Sequence, residues 1–497
     1  MSERKSLFDG FLRGAEGLPV GESSSARFEP VGHLKQTPSL SFSRENREGK
    51  IFLGVVDGDI VRHRLPDSRV ERFVKGGYPL GIADDRHMIT IAGSRAGKGR
   101  AAIIPNLLTY PGSMLVIDPK GDLAGETAEY RSRVLGQTVH VLDPFSVAGT
   151  DSRLDSTFNP LSMLSLLSPT LVEDAGLIAD ALVVPSGNDP HWDESAKTFI
   201  EGCILHVATD TKYEDRRTLT TVRELVMHAN EKLADEMFAN PAARAAVMDA
   251  AADFFDRNEK ERLSVLSSAR RHLRFLGYEQ VQNVLLDGRL DLADLKRSNV
   301  TVYLSLPAMR MGTCSRWLRL FVNLTLAAME AERTKPTHPI VMCLDEFAVL
   351  GTMKTIEDAA GQIAGLGVKL WPILQDLGQL KALYNDRWET FLGNAGVLQF
   401  FGNSDLTTLE WISKRLGNTS IHNRSESEVT RDAATKQGAT GGSWSSSSHE
   451  LMSVEEASRF FGRDDKMLRQ LIIRPSFSPM VLQRAFHDKH ELFSRNY

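Results

Sequence analysis

The chain holds 497 residues, 42% of them hydrophobic and 25% charged, with 59 basic against 64 acidic side chains and a formal net charge of -5. This much apolar material builds a large core in two or three domains of an ordinary soluble globular protein, without the global basic excess of a protein that coats nucleic acid; a local basic channel would not show in the sum. Three cysteines far apart in sequence, Cys203, Cys314 and Cys343, rule out a disulfide framework and fit a reducing, cytosolic setting.

In chain order, residues 1–45 are rich in Ser, Gly, Glu, Arg and Pro and predict a flexible arm. Within it Leu7, Phe8, Phe11 and Leu12 fall on one side of a short helix that docks on its own domain. Residues 46–160 alternate β-type and helical runs. "HMITIAG" and "SMLVIDP" are short, apolar and β-branched enough to be buried parallel strands, with "GRAAIIPNLLTY" as the crossover helix between them and Pro105 expected in its first turns.

Residues 161–295 turn helical in pattern, from "LVEDAGLIADALV" to "RLSVLSSARRHLRFL", and strands resume at "NVTVYLSLP" and "HPIVMCLDEF" in the stretch 296–497. The expectation is an α/β fold with a mostly parallel sheet, closed by both flanking pieces around an inserted all-α domain. Trp192, at helical spacing from Ser195 and Phe199, reads as packing within that insertion. The polar, Ser/Gly-rich segment near 424–450 predicts a mobile loop. Beyond it Ser453, with Glu456 three residues on, spells a capping box at a helix start. The most apolar helix candidate, "WLRLFVNLTLAAM", is too short to span a bilayer and carries Arg319 and Asn323, and no signal peptide is visible.

The chemistry concentrates in three segments. "AGSRAGKGR" lies between a predicted strand and helix, as a phosphate-binding loop does, where backbone N–H groups and a helix N-terminus hold a polyphosphate. Gly93, Ser94, Arg95, Ala96, Gly97, Lys98, Gly99 and Arg100 are its candidate contacts, with Lys98 reaching the β and γ phosphates. It departs from G-x-x-x-x-G-K-[S/T] at both ends, with Ala92 for the first Gly and Gly99 for the hydroxyl residue. "PIVMCLDEF" is a buried strand delivering Asp345 and Glu346 at its C-terminal edge, the first suited to the shell of a Mg²⁺ ion, through water, and the second to activating an attacking water. "KLWPILQDLGQL" ends a third strand in Gln375, a neutral group placed to sense the γ-phosphate or orient water.

Together with "IDPKGDLAGETAEYR", "HVLDPF", "FNPL", "TFLGNAGVLQFFGNSDLTTLEWISKRLGNTS" and "SVEEASRFF", these segments run in order from about residue 50 to the C-terminus. In this the chain resembles the type IV coupling proteins of the VirD/TraG family, hexameric RecA-like P-loop ATPases that bring DNA or protein substrates to type IV secretion and conjugation machinery. The resemblance implies ATP and Mg²⁺ as ligands, a working site of Lys98, Glu346 and Gln375, and a DPKG box at Asp118, Lys120 and Gly121. It also makes Ala92 and Gly99 family usage. Implied partners are DNA read without sequence preference, relaxase or protein substrates, and secretion-channel components, with a homo-hexamer as the active form.

Two departures stand out. Relatives usually begin with transmembrane helices, so this chain is expected to be cytoplasmic, or peripheral at the inner membrane through a partner. Some relatives carry a trans-acting Arg near the position of Ala364, which leaves Arg310 and Arg415 as the candidates here. Two other functions stay open: a nucleotide-binding recruitment adaptor with little hydrolysis, suggested by the missing hydroxyl at Gly99, and a cytosolic DNA pump of the same superfamily outside secretion.

Overall fold

The computed structural model describes residues 26–184, 191–359, 363–427 and 441–494. Fifteen strands are present among them: β1 (Ile51–Val56), β2 (Asp59–Arg64), β3 (Val70–Lys75), β4 (Tyr78–Ile82), β5 (His87–Ala92), β6 (Met114–Asp118), β7 (Thr138–Leu142), β8 (Val300–Ser305), β9 (Ile340–Leu344), β10 (Val368–Leu374), β11 (Ala395–Phe401), β12 (Asn418–Ser427), β13 (Gly441–Glu450), β14 (Arg469–Ile473) and β15 (Met480–Gln483). Eleven form one sheet in the order β4-β1-β15-β14-β11-β5-β10-β9-β6-β8-β7. The seven strands from β11 to β7 run parallel, and β14, β15, β1 and β4 extend them antiparallel.

The parallel strands are apolar almost throughout because both faces are covered. Side chains alternate between two cores: Ile89 and Ile91 of β5 point into one, Met88 and Ala92 into the other. Strands before and after the helical stretch thus share one sheet, as the pattern predicts. Between β7 and β8 every regular element among the described residues is helical, from Pro160–Met163 to Asp294–Arg297. These helices do not build a core of their own. Phe199, Phe254 and Ile204 belong to the same cluster as Leu115 and Leu344 of the sheet, bridged by the buried helix Met311–Ala331.

Two local expectations are corrected. Of the arm predicted over 1–45, the described residues 26–45 are ordered: Phe28, Leu34, Leu40 and Phe42 are buried, Ser41 bridges Leu80, and the Ala26 N–H donates to the Asn418 carbonyl. Four apolar residues spaced through a polar stretch suffice to anchor it, and average composition hides them. The apolar run at Leu7, Phe8, Phe11 and Leu12 lies outside the described residues. In the Ser/Gly-rich segment, β12 and β13 pair antiparallel over ten residues each; neither run contains proline, so every backbone N–H remains available to the ladder. Pro105 falls within the first turns of its helix, as expected, at the second position of the α-helical part. The helix begins at Gly99 with a π-type segment, Gly99–Ile103, before the α-helical Ile104–Thr109. A proline ring crowds the carbonyl four residues earlier, and widening the preceding turn relieves that clash.

Candidate active site

Three neighbouring strand ends of the parallel sheet create the site. β5 leads into the loop at Gly93, β9 ends before Asp345 and Glu346, and β10, lying between them, ends before Gln375. The loop root is fixed by contact. The Gly93 N–H donates to the Phe401 carbonyl at 3.1 Å, and a Cβ on Gly93 would stand 1.9 Å from the Gly402 carbonyl oxygen, so no other residue fits. Positive φ at Arg95 (58°) and Gly97 (86°) curls the loop in the manner of an anion-binding nest. Ala96 is buried, and its carbonyl accepts Nη1 of Arg484 at 2.8 Å. Arg484 lies under the Phe401 ring's neighbourhood, 5.3 Å from its centroid, and burial pushes its guanidinium down to about 10.

Lys98 emerges from this loop onto both carboxylates, 2.7 Å from Asp345 Oδ1 and 2.5 Å from Glu346 Oε1. Burial alone would lower the ammonium; Asp345 and Glu346 outweigh it and hold it above its ordinary value. Burial raises the Asp345 carboxyl, with Lys98 pulling the other way. Gln375 Nε2 donates to Glu346 Oε2 at 3.2 Å, so lysine, two carboxylates and carboxamide form one chain of contacts. Glu346 adopts a left-handed backbone (φ 51°), a sparsely populated conformation for such a side chain.

The sequence-predicted residues divide. Lys98, Asp345, Glu346 and Gln375 meet; Ser94 lines a cleft of about 620 Å³ with Gln375, Asn403, Arg459 and Arg463. Arg95 is exposed. The Arg100 side chain is committed elsewhere, to Asp488 at 2.6 Å and Glu71 at 3.0 Å, above the Phe486 ring. No side chain lies within 4 Å of a Cβ built at Gly99, so the place of the missing hydroxyl is open. Asp118 does structural work: its carboxylate accepts the Ala124 N–H at 2.8 Å and the Lys120 N–H at 3.4 Å, holding the start of helix Asp122–Arg133, and burial pushes it up to about 6. Arg310 stacks over Phe145 after β8, and Arg415 is exposed on helix Leu406–Leu416. Trp192 is half-buried against the helical core. Among the described residues no cluster of His, Cys, Asp and Glu could hold a metal, and all three cysteines are buried and free.

Three supporting residues escape sequence reasoning. Asn403 Nδ2 donates to the Gln375 carbonyl at 3.1 Å and so holds the end of β10. Arg319, buried in helix Met311–Ala331, donates Nη1 to the carbonyls of Leu350 and Thr352, both at 2.8 Å, and pins the turn that follows Glu346. Arg484 comes from the far end of the chain. Only a polar residue set in an otherwise apolar run, as Arg319 is, or directly after a strand, as Asn403 is, gives any signal.

A lysine on a curled Gly-rich loop, beside two carboxylates and a carboxamide at adjacent strand ends, is suited to bind a polyphosphate and direct water at it. No helix among the described residues is long and apolar enough to cross a membrane. TraG from Escherichia coli is 28% identical over 357 residues, covering 67% of this chain and 55% of the relative. VirD4 from Agrobacterium fabrum is 28% identical over 365 residues, covering 71% and 52%. The chain therefore spans little more than half the length of these relatives. The solved bacterial conjugative coupling protein TrwBdeltaN70, in complex with sulphate, shares the fold at 15% identity with a TM-score of 0.67, over 97% of this chain and 99% of that one. TrwB has also been solved with ADP and Mg²⁺, at 14% identity and a TM-score of 0.59 over 83% and 88%. The model of the type IV secretory system conjugative DNA transfer family matches residues 50–495, and the chain belongs to that family.

Proposed function

We propose that this chain is an ATP-hydrolysing coupling protein that recruits DNA or nucleoprotein and moves it toward a type IV secretion apparatus. The observation that carries this reading is the contact chain Lys98–Asp345/Glu346–Gln375 at three neighbouring strand ends. Lys98 is held by carboxylates; the phosphates of ATP offer it more negative charge, and its transfer to them would free Glu346 to accept a proton from water while Gln375 orients that water. The backbone from Gly93 to Arg100 would cradle the phosphates. Asp345, with open space at Gly99 for water, fits the outer shell of a Mg²⁺ ion, which when bound supplies charge neutralisation on the phosphates. TrwB, a fold neighbour, binds ADP with Mg²⁺ and analogues of both ATP and GTP.

In this reading the working form is a homo-hexamer on the cytoplasmic side of the inner membrane, joined to secretion components and relaxase or protein substrates, with DNA gripped through its backbone. A neighbouring subunit would supply an arginine, with Arg310 and Arg415 as the candidates. The test is steady-state ATP turnover with and without DNA. Turnover that rises with DNA and disappears in Lys98→Ala is the expected outcome; turnover indifferent to DNA and to that substitution overturns it. Gly99 favours a second reading, a recruitment adaptor that binds nucleotide but hardly hydrolyses it. Tight ATP binding with negligible turnover in the native chain would select the adaptor.

A further inference from the structure

Strands β2 and β3 pair only with each other and stand off the main sheet as a two-stranded ribbon. The ribbon carries five basic residues, Arg62, Arg64, Arg69, Arg72 and Lys75, against three acids, Asp59, Asp67 and Glu71. Two of the acids are already engaged. Asp67 pairs with Arg69 at 2.6 Å, Asp59 stands opposite Lys75 in the ladder, and Glu71 pairs with Arg100 at 3.0 Å and Lys489 at 3.3 Å. That leaves Arg62, Arg64 and Arg72 with no ion-pair partner among the described residues.

The register puts these three on one face. Arg62 lies directly opposite Arg72, and Arg64 follows Arg62 by two positions, which in a strand is the same side. Like charges facing each other across an antiparallel pair repel. Arg72 Nε is moreover buried without an acceptor. Glu71–Arg100 and Phe73 beneath Lys489 fix the opposite face to the body, and Ile60 and Val74 on the arginine face pack into the core at the ribbon's base; beyond them Arg62 and Arg64 are exposed and Arg72 is half-buried. Exposed, unpaired guanidinium groups set this close together on one face are suited to an anion with closely repeated charges.

We propose that this face of the β2–β3 ribbon is a contact surface for the phosphodiester backbone of nucleic acid. The inference rests on the DNA-handling reading above and gives it a place on the molecule. Arginine forks match phosphate oxygens in pairs, and a two-stranded ribbon is narrow enough to follow a groove. An anionic bilayer also presents phosphates, and the experiment separates it from nucleic acid.

The experiment is fluorescence anisotropy of the full chain with a labelled DNA duplex of unrelated sequence across a salt series. Losing all three contacts in Arg62→Ala/Arg64→Ala/Arg72→Ala should flatten the slope of log affinity against log salt by about 2.7, roughly 0.9 per phosphate contact. The exposed pair alone, Arg62→Ala/Arg64→Ala, leaves the half-buried Arg72 in place and should flatten it by about 1.8. Arg133→Ala, a surface arginine already paired with Glu129, should leave it unchanged. Binding of a fluorescent ATP analogue, measured in parallel, should stay within twofold in every variant. An unchanged slope in the ribbon variants overturns the proposal, as does a loss confined to anionic phospholipid vesicles with DNA binding intact. Retained ribbon-dependent DNA binding without any ATP turnover would instead count against the enzyme reading alone.

Discussion

Two of the clusters of buried charge among the described residues differ in what can reach them. At the strand ends Lys98 holds Asp345 and Glu346, with side chains 21%, 9% and 26% exposed. In the helical stretch Asp193, 3% exposed, accepts from Ser268 Oγ at 3.1 Å, Arg271 Nη2 at 2.5 Å and His272 Nε2 at 2.9 Å, while His272, fully buried, accepts Arg316 Nη2 on Nδ1 at 3.1 Å. A guanidinium only donates, so Nδ1 is the acceptor and His272 is the neutral tautomer protonated at Nε2. The first sets one lysine between two carboxylates; the second sets one carboxylate against Arg271 and a neutral His272. In the first, a ligand arriving from solvent can replace the carboxylates as the lysine's partner. In the second, Asp193 and His272 are sealed from solvent and, with the half-exposed Arg271, join three helices: His191–Thr209, Glu259–His272 and Met311–Ala331. Exchangeable partners mark chemistry; sealed ones mark architecture.

The largest effect that sharpens this contrast is expected at Glu346. Glu346→Gln keeps the shape and the contact with Gln375 but removes the base, so turnover should fall by about three orders of magnitude. ATP affinity should change only a few-fold, as equilibrium binding will show. Asp193→Ala takes the acceptor from the buried His272 Nε2 and should cost about 2 kcal/mol of unfolding free energy in denaturant titration. Turnover per folded molecule should stay unchanged. A folded Asp193→Ala protein without turnover would break the distinction between the clusters.

A smaller effect follows from protonation. Burial is the main cause that holds His272 below its ordinary value; Arg316 and Arg271 push the same way and Asp193 opposes them. The folded chain therefore binds a proton at His272 less readily than the unfolded chain. Between the unfolded histidine value of about 6.5 and the lower folded value, the unfolded state carries more protons, so stability falls as pH falls through that window. Asp118, raised to about 6, acts oppositely, gaining stability as pH drops from about 6 toward the carboxylate range. Comparing melting curves of the native chain and His272→Gln isolates the first contribution: the native chain should lose its advantage below about pH 6.5. Parallel curves would show that His272 does not titrate differently on folding.

The parts of the site legible in sequence are those carried by local pattern. An apolar run ending in Asp-Glu, and another ending in Gln, name their own positions because a buried parallel strand must be apolar and its C-terminal end opens on the ligand side. The left-handed turn at Gly97 is readable in the same way. What stayed hidden depends on contacts across hundreds of residues. That Gly93 faces the Gly402 carbonyl, that Arg484 caps Ala96 and that Arg319 pins the turn after Glu346 are facts of tertiary packing, which no spacing rule encodes. Composition misled in two places: the backbones of Ser-rich β12 and β13 pair in a ladder, and the polar arm carries four buried apolar residues. Arg100 was assigned by adjacency to the loop, yet its side chain is drawn off by Asp488 and Glu71.

The smallest expected effect tests how open the first cluster is. Gly99 starts the π-type segment, and a Cβ there meets nothing within 4 Å, so Gly99→Ser introduces its hydroxyl without displacing any neighbour. Serine also favours a helical backbone over glycine by a few tenths of a kcal/mol, so the fold should not suffer. If water and Asp345 already complete the cation's shell, the hydroxyl replaces one water: the Mg²⁺ concentration for half-maximal turnover should drop a few-fold and the maximal rate should shift by less than tenfold. If instead the missing hydroxyl is what keeps the chain a binder rather than an enzyme, the same substitution should switch on turnover that the native chain lacks. The size of the change in maximal rate, read across a Mg²⁺ titration, therefore decides between the two readings with a single oxygen atom.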